Sequence, residues 1–465
     1  MQVRHILTFG VGSIGVALIG LVSVPVMSWY FTAEEIGRFA MLQIGVNLAL
    51  LVFSLGLDQA YVREFYEYHD HGELLKVAVL PGLVVLVACL TIVVAVFPRQ
   101  VSGLAFGVQE PFLAALLAAS VLAAFLSRFL SLILRMQQRS LAYSISQLLP
   151  KGLLLSLLFV PALHWMEVGG LIIAQTITII LATAIFSINT LSAWRPALAA
   201  DFRLSLLGPL LRYGAPLAVS GAATWLLVSV DRIALRHLSD FEQLGVYSVA
   251  ASFAGAALII QGIFSLAWAP SVYKWVKDGA RGRFVEEVSE HVLALAALAF
   301  AISGSLSWIL SYILPPTYRL VPQLLTACMA YPLFYLISET TAVGLNILRR
   351  TSYSMLCAIL AAVFNVAGCY LLVSKYGAQG AAISTAISSW FFLVARTEFS
   401  NRMWRRRERT RLYTVTGTAL LMCCIHAGSG SMIGRLMPEM WLVFGAVMLW
   451  TFRRSIILTW NIVRR

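Results

Sequence analysis

The chain has 465 residues, 60% of them hydrophobic and only 12% charged, with a formal net charge of +13 and a mean hydropathy of +0.84. Soluble domains carry roughly 25% charged residues, so the composition excludes a water-soluble protein and, with it, a soluble nucleic-acid binder that presents a basic patch. The six cysteines (Cys89, Cys328, Cys357, Cys369, Cys423 and Cys424) all lie in apolar runs without the paired spacing of a zinc site; no metal or other cofactor is expected.

A bilayer core of about 30 Å needs roughly 20 apolar residues per helix. Apolar runs between charged or Pro/Gly-rich breaks fall at 6–30, 36–61, 75–97, 111–134, 141–163 and 168–193 in the first part of the chain. They continue at 207–230, 245–268, 291–314, 321–347, 353–373 and 377–394, and end with 413–433 and 436–452. That predicts about fourteen spans and an all-α integral membrane protein. The first run is longer than a signal-peptide core and lacks a small-residue cleavage site before Pro25 and Trp29, so it reads as an uncleaved helix.

The runs repeat, with matching punctuation about 206 to 210 residues apart. Arg4 before the first run is answered by Arg212 before the seventh. Glu35-Ile36-Gly37-Arg38-Phe39-Ala40 returns as Gln243-Leu244-Gly245-Val246-Tyr247-Ser248. Arg139-Ser140-Leu141 returns as Arg349-Arg350-Thr351, and Val168-Gly169-Gly170-Leu171 as Ala378-Gln379-Gly380-Ala381. The expected division is a six-helix lobe at 1–200, a second at 201–400, and a basic loop with two extra helices at 401–465. An even number of spans per lobe makes the repeats parallel, and such proteins usually move something through a cavity between their halves.

Basic residues fix the orientation. With the N-terminus inside, about 26 Lys and Arg fall on the cytoplasmic side and about 7 outside. The inner set includes Arg396 and the run from Arg402 to Arg411; Arg38, Arg99 and Arg232 are placed outside. Both ends are expected in the cytoplasm. The segments 194–206 and 271–284 alternate basic with aromatic or apolar residues and read as interfacial, against acidic membrane lipid.

Thr32-Ala33-Glu34-Glu35-Ile36-Gly37-Arg38-Phe39, Val230-Asp231-Arg232-Ile233-Ala234-Leu235 and Tyr376-Gly377-Ala378-Gln379-Gly380-Ala381-Ala382 resemble the Wzx-like polysaccharide flippases. These belong to the multidrug/oligosaccharidyl-lipid/polysaccharide exporter superfamily. The resemblance is dispersed over about residues 1–400. It implies two six-helix lobes around a central cavity that opens alternately to each side. The implied cargo is an oligosaccharide on a polyprenyl diphosphate, turned to the outer leaflet of a bacterial inner membrane, with polysaccharide polymerase and export proteins as partners. A multidrug or small-solute antiporter of the same superfamily is the alternative, and a non-transporting scaffold of a polysaccharide assembly complex a third reading.

Ionisable groups at bilayer depth usually face a cavity or a partner. Lys151 lies about midway along its run, too deep for easy snorkelling, and a diphosphate in low dielectric needs such a cation; pairing with a neighbouring carboxylate is the alternative. Arg128 and Glu339 stand at nearly equivalent repeat positions and are expected either to form a gate across the lobes or to divide phosphate binding and proton coupling between them. Arg4 and Arg212 guide an anionic head group inward or only satisfy the positive-inside bias. Asp58, with Arg63 and Glu64, closes the second run. Asp231 and Arg232 close the seventh, where a local cap at the outer surface is weighed against a coupling role.

Gly10-Val11-Gly12-Ser13-Ile14-Gly15 matches G-x-G-x-x-G, but inside an apolar run it is expected to serve helix packing rather than a dinucleotide. Tyr68-His69-Asp70-His71-Gly72-Glu73 is expected to be a solvated turn, not a metal site. With no P-loop and no nucleophile–base pair, the chain is not expected to be an enzyme. Pro25, Pro81, Pro150, Pro216 and Pro332 are expected to soften their helices.

Overall fold

In a computed structural model, residues 3–164, 166, 168–277, 283–348, 350–404 and 408–453 are described, without the side chains of residues 3–14, 223, 224, 227, 266, 267, 269, 270, 273, 274, 276, 277, 283, 351, 431 and 432. Among the described residues every regular element is helical. Nine of these helices are long and apolar enough to cross a membrane. The chain divides into two compact units, Met1–Leu226 and Leu227–Arg465.

The N-terminal unit runs α1 (Val3–Tyr30), α2 (Ala33–Ser54), α3 (Leu57–Glu64), α4 (His71–Ala95), α5 (Pro98–Phe106) and α6 (Pro111–Met136). It continues with α7 (Ser140–Leu157), α8 (Pro161–His164), α9 (Gly170–Asn189), α10 (Leu191–Ala199) and the first part of α11 (Leu204–Leu238). Helix starts follow local chemistry. Thr32 and Glu35 form a reciprocal capping box at α2, Asp70 accepts from the Glu73 amide at α4, and Pro98 and Pro111 open α5 and α6. Leu57, Leu74, Leu86, Phe125 and Ile133 are fully buried where α3, α4 and α6 pack together. Val84, Val85 and Ile92 point away from that core, as a helix facing lipid requires.

The C-terminal unit holds the end of α11, then α12 (Phe241–Lys277), α13 (Arg283–Ser305), α14 (Leu310–Ile313), α15 (Val321–Thr341) and α16 (Val343–Ile347). It ends with α17 (Thr351–Met403), α18 (Thr410–Gly428) and α19 (Ser431–Thr451). The last two helices are part of this unit. α18 packs on α15 and α17, and α19 lies along α13, where Trp441 stacks on Phe300 at 6.3 Å.

The repeat survives as matching local geometry. Thr32 Oγ1 accepts from the Glu35 amide at 3.2 Å, and Asp240 Oδ1 accepts from the Gln243 amide at 2.7 Å. A Cβ on Gly170 would stand 2.1 Å from Leu163 O, and one on Gly380 would stand 2.3 Å from Leu372 O. Both repeats therefore reserve a glycine for a backbone crossing at the same place.

The five prolines expected to soften their helices, Pro25, Pro81, Pro150, Pro216 and Pro332, all lie inside α-helices. Breaks come at positive φ, at Leu55–Gly56 between α2 and α3 and at Gly377 within α17. At the second break, Gln243 Oε1 takes up the Ala378 amide at 3.1 Å, so a side chain replaces the lost helical acceptor. Helices also outrun their apolar windows. α11 continues to Leu238 and α12 to Lys277, so 271–277 is helical rather than an interfacial loop. Backbone hydrogen bonding continues into the headgroup zone, where charged side chains are tolerated. The basic stretch after residue 190 forms α10, packed on α4, with Lys76 Nζ donating to Leu198 O at 3.1 Å and Ala200 O at 2.6 Å.

Candidate functional site

In the N-terminal unit the polar groups collect at the α2–α3 break. Gly56 takes φ +71, and its Cβ would stand 2.0 Å from Gly214 O, so α11 crosses the broken helix at backbone contact. The break aims α3 so that Asp58, in its first turn, meets α6. There Arg128 Nη2 and Nε donate to Asp58 Oδ2 at 2.8 and 3.2 Å, and Gln59 Nε2 donates to the same oxygen at 3.1 Å. Asp58 is buried, whereas the Arg128 side chain is 44% exposed. The carboxylate is sealed, and one face of the guanidinium stays open.

One turn further along α3, Arg63 lies 4.4 Å from the Tyr213 ring and 3.4 Å from Glu64. Arg212, which precedes that tyrosine, is exposed. Arg128, Asp58, Arg63 and the Arg212–Gly214 stretch are thus brought to one place by the glycine crossing.

Lys151 is elsewhere, on α7, which packs against α1 and α9. The helix ends at Leu157, so Lys151 sits nearer its C-terminal end than midway, because the chain turns into α8 where a longer run was expected. Lys151 is half-buried and has no ion-pair or hydrogen-bond partner among the described residues. The side chain of Arg4 lies outside the described residues, as do Arg281, Arg349, Arg405 to Arg407, Arg454, Arg464 and Arg465 of the basic inner set.

Two clusters in the C-terminal unit hold predicted charged residues. Glu339, on α15, is paired with Arg396 of α17 at 3.7 Å, and Arg396 Nη1 donates to Ser338 Oγ at 2.7 Å. The guanidinium carbon lies 5.2 Å from the Phe392 ring and 5.6 Å from Tyr335. Arg396 is 5% exposed. Glu339 and Arg128 thus each have a partner of opposite charge within their own unit. Arg396 itself was assigned to a cytoplasmic loop because its apolar window closes at residue 394; α17 continues to Met403 and carries it into the interior. Phe391, Phe392 and Phe399 around it were the available signal.

The second cluster corrects the reading of Asp231 as an outer cap. Asp231 is 4% exposed and lies within α11, not at its end. The Tyr247 hydroxyl donates to Asp231 Oδ2, and Asn365 Nδ2 donates to Oδ1 at 3.4 Å. Ser384 Oγ donates to Asn365 Oδ1 at 2.8 Å, and a cavity of about 70 Å³ adjoins the carboxylate beside Cys328 and Thr385. Tyr247 stands in the repeated turn 243–248, whereas Asn365 and Ser384 come from distant segments that no local pattern announced.

The remaining motifs are structural. Gly15 packs against Leu148 of α7, where a Cβ would stand 2.7 Å from its Cδ2. His71 stacks on Phe65 at 4.2 Å, and no metal-binding cluster occurs among the described residues. Arg38 is 7% exposed and donates to Phe106 O at 3.1 Å.

Residues 3–274 match the model of a family described as polysaccharide biosynthesis protein. The chain belongs to that family. Among solved structures it is similar to a lipid II flippase, MurJ, in an inward closed conformation, with a TM-score of 0.71 and 14% identity over 97% of this chain and 100% of the other. It is also similar to an inward-facing multidrug resistance MATE transporter of the MOP superfamily (TM-score 0.57, 14% identity, 88% and 99% covered). A Vibrio cholerae MATE transporter, VcmN, gives 0.54 at 16% identity, with 86% and 96% covered. At these identities the likeness establishes a shared fold, that of all-α membrane transporters. No curated protein matches the sequence.

Proposed function

We propose that this family member is a flippase that turns a polyprenyl-diphosphate-linked oligosaccharide from the cytoplasmic to the outer leaflet of a bacterial inner membrane, by alternating access, with both termini cytoplasmic. The family match supports a role in polysaccharide biosynthesis, and the fold shared with a lipid II flippase supports a lipid-linked cargo. The observation that carries the reading is Lys151. It is a half-buried ammonium with no counter-ion among the described residues, and a diphosphate supplies the missing charge. Arg128 offers its open face to the same class of anion, with Arg212 and Arg4 guiding the head group from the mouth.

Coupling is assigned to Asp231 rather than to Glu339 or Asp58. Those two carboxylates are committed to Arg396 and Arg128. Asp231 accepts instead from the hydroxyl of Tyr247 and the amide of Asn365, with no ion pair among the described residues, beside a small cavity that it shares with the neighbouring Arg232. A buried carboxylate of that kind is free to change its charge state as the protein cycles.

Deletion strains complemented with variants test both assignments. Lys151→Ala is expected to abolish surface polysaccharide and accumulate the lipid-linked precursor at normal protein level, with Lys151→Arg recovering part of the export. Wild-type polysaccharide from Lys151→Ala removes the assigned role. In reconstituted vesicles, Asp231→Asn is expected to bind cargo but lose the response of transport to an imposed ion gradient. Transport that stays equally gradient-dependent excludes Asp231 as the coupling group. Export of small drugs without precursor accumulation would favour the multidrug reading; one neighbour in fold is a multidrug resistance transporter.

A further inference from the structure

Most polar side chains of α2 have partners within the N-terminal unit. Glu35 closes the capping box with Thr32, Arg38 donates to Glu34 and to Phe106 O, and Ser54 donates to Leu51 O. Gln43 and Asn47 differ: neither side chain has a hydrogen-bond partner among the described residues. The helix is 22 residues long, about the span of the hydrocarbon core. Gln43 lies about 15 Å and Asn47 about 21 Å from its start. Gln43 is half-buried and Asn47 exposed, one turn apart on the same face. Lipid at that depth offers a carboxamide neither donor nor acceptor, so this face borders a polar space.

The second repeat shows that the duplicated frame does not require these side chains. At the Glu35-to-Gln243 spacing, Gln43 and Asn47 correspond to Ala251 and Gly255 of α12, which border the cavity beside Asp231. The corresponding face thus lines a cavity in the C-terminal unit with small apolar residues. The carboxamides are an addition of the N-terminal unit, and packing alone does not account for them.

Their chemistry selects the ligand. Each carboxamide carries two donors and one acceptor oxygen, and no charge. A diphosphate draws its partners from cations such as Lys151 and Arg128. A sugar is matched instead by neutral groups that donate and accept at once, because each of its hydroxyls does the same. Two side chains about 6 Å apart on one helix face can engage separate hydroxyls of one ring.

We propose that Gln43 and Asn47 form a neutral sugar-binding subsite in the N-terminal unit, which takes hydroxyl groups of the glycan while the cations take the diphosphate. The subsite rests on the flippase reading and adds to it the residues that recognise the glycan.

Binding is measured on the full-length protein in nanodiscs with two probes. One is the lipid-linked precursor purified from the deletion strain; the other is undecaprenyl diphosphate, which keeps the diphosphate and lacks the sugar. Gln43→Leu with Asn47→Leu is expected to weaken precursor binding about tenfold, the loss of one or two hydrogen bonds. Undecaprenyl diphosphate is expected to bind as in wild type, which also shows that the variant is folded. Because Gln43 is half-buried, Asn47→Leu alone, at an exposed position, provides a second test and is expected to weaken the precursor about threefold. Equal weakening of both probes in Asn47→Leu makes the residue structural and overturns the proposal. Precursor binding unchanged in both variants also overturns it and leaves the flippase reading standing. Absence of an accumulated precursor, or failure of wild type to bind either probe, removes the flippase reading and this subsite with it.

Discussion

Arg128 and Glu339 stand at nearly the same place in the two repeats, yet the two halves solve the charge differently. In the N-terminal unit the carboxylate is buried and the arginine is 44% exposed; in the C-terminal unit the arginine is 6% exposed and the glutamate 14%. The N-terminal pair is sealed on one side only and keeps a cation available. The C-terminal pair is closed on both sides, wrapped by Phe392, Tyr335 and Ser338. A duplicated frame thus carries one pair open to a ligand and one that fixes helix to helix.

If that contrast is right, the C-terminal pair is the more costly to break. Arg396→Ala strands Glu339 in the interior and is expected to destabilise the protein by about 3–5 kcal/mol, with a matching fall in membrane protein level. Adding Glu339→Gln removes the stranded charge and is expected to recover much of that loss in thermal unfolding. A loss no larger than that of the N-terminal pair would erase the distinction.

Arg128→Ala is expected to cost less, about 1–3 kcal/mol, because Asp58 keeps Gln59 as a donor. Export is expected to fall far more than protein level, the reverse of the Arg396 pattern. Equal losses of export and protein level would reduce Arg128 to a structural residue.

The smallest effect is expected at Arg63, whose half-exposed contact with the Tyr213 ring is worth below about 1 kcal/mol. Arg63→Ala is expected to leave unfolding nearly unchanged and to lower export only modestly, which would confine the essential cation at this place to Arg128. Complete loss of export would move that role to Arg63.

Much of this was legible beforehand. Apolar runs of about 20 residues located the helices, and the paired punctuation at Glu35/Gln243 and Gly170/Gly380 located the repeat, because capping and close backbone crossing depend on local residue types. The same windows misplaced Arg396 and Asp231, since hydropathy tells where the apolar slab ends and not where the helix ends. The prolines mark helix interiors, while the breaks at Leu55–Gly56 and Gly377 run through positive φ, a backbone choice that hydropathy does not reveal.

The sequence by itself determined the class, the all-α architecture, the internal repeat and the family, because each rests on composition or on spacing along the chain. Tertiary structure alone decided which charge meets which. Asp58 with Arg128, Glu339 with Arg396, and Asp231 with Tyr247 and Asn365 join residues 16 to 134 positions apart or on helices far apart in the chain. Their pairing depends on where helices cross, and the crossing points are set by packing: Gly56 against Gly214 on one side, and α15 against α17 on the other. A buried charge takes whichever partner that packing brings within reach.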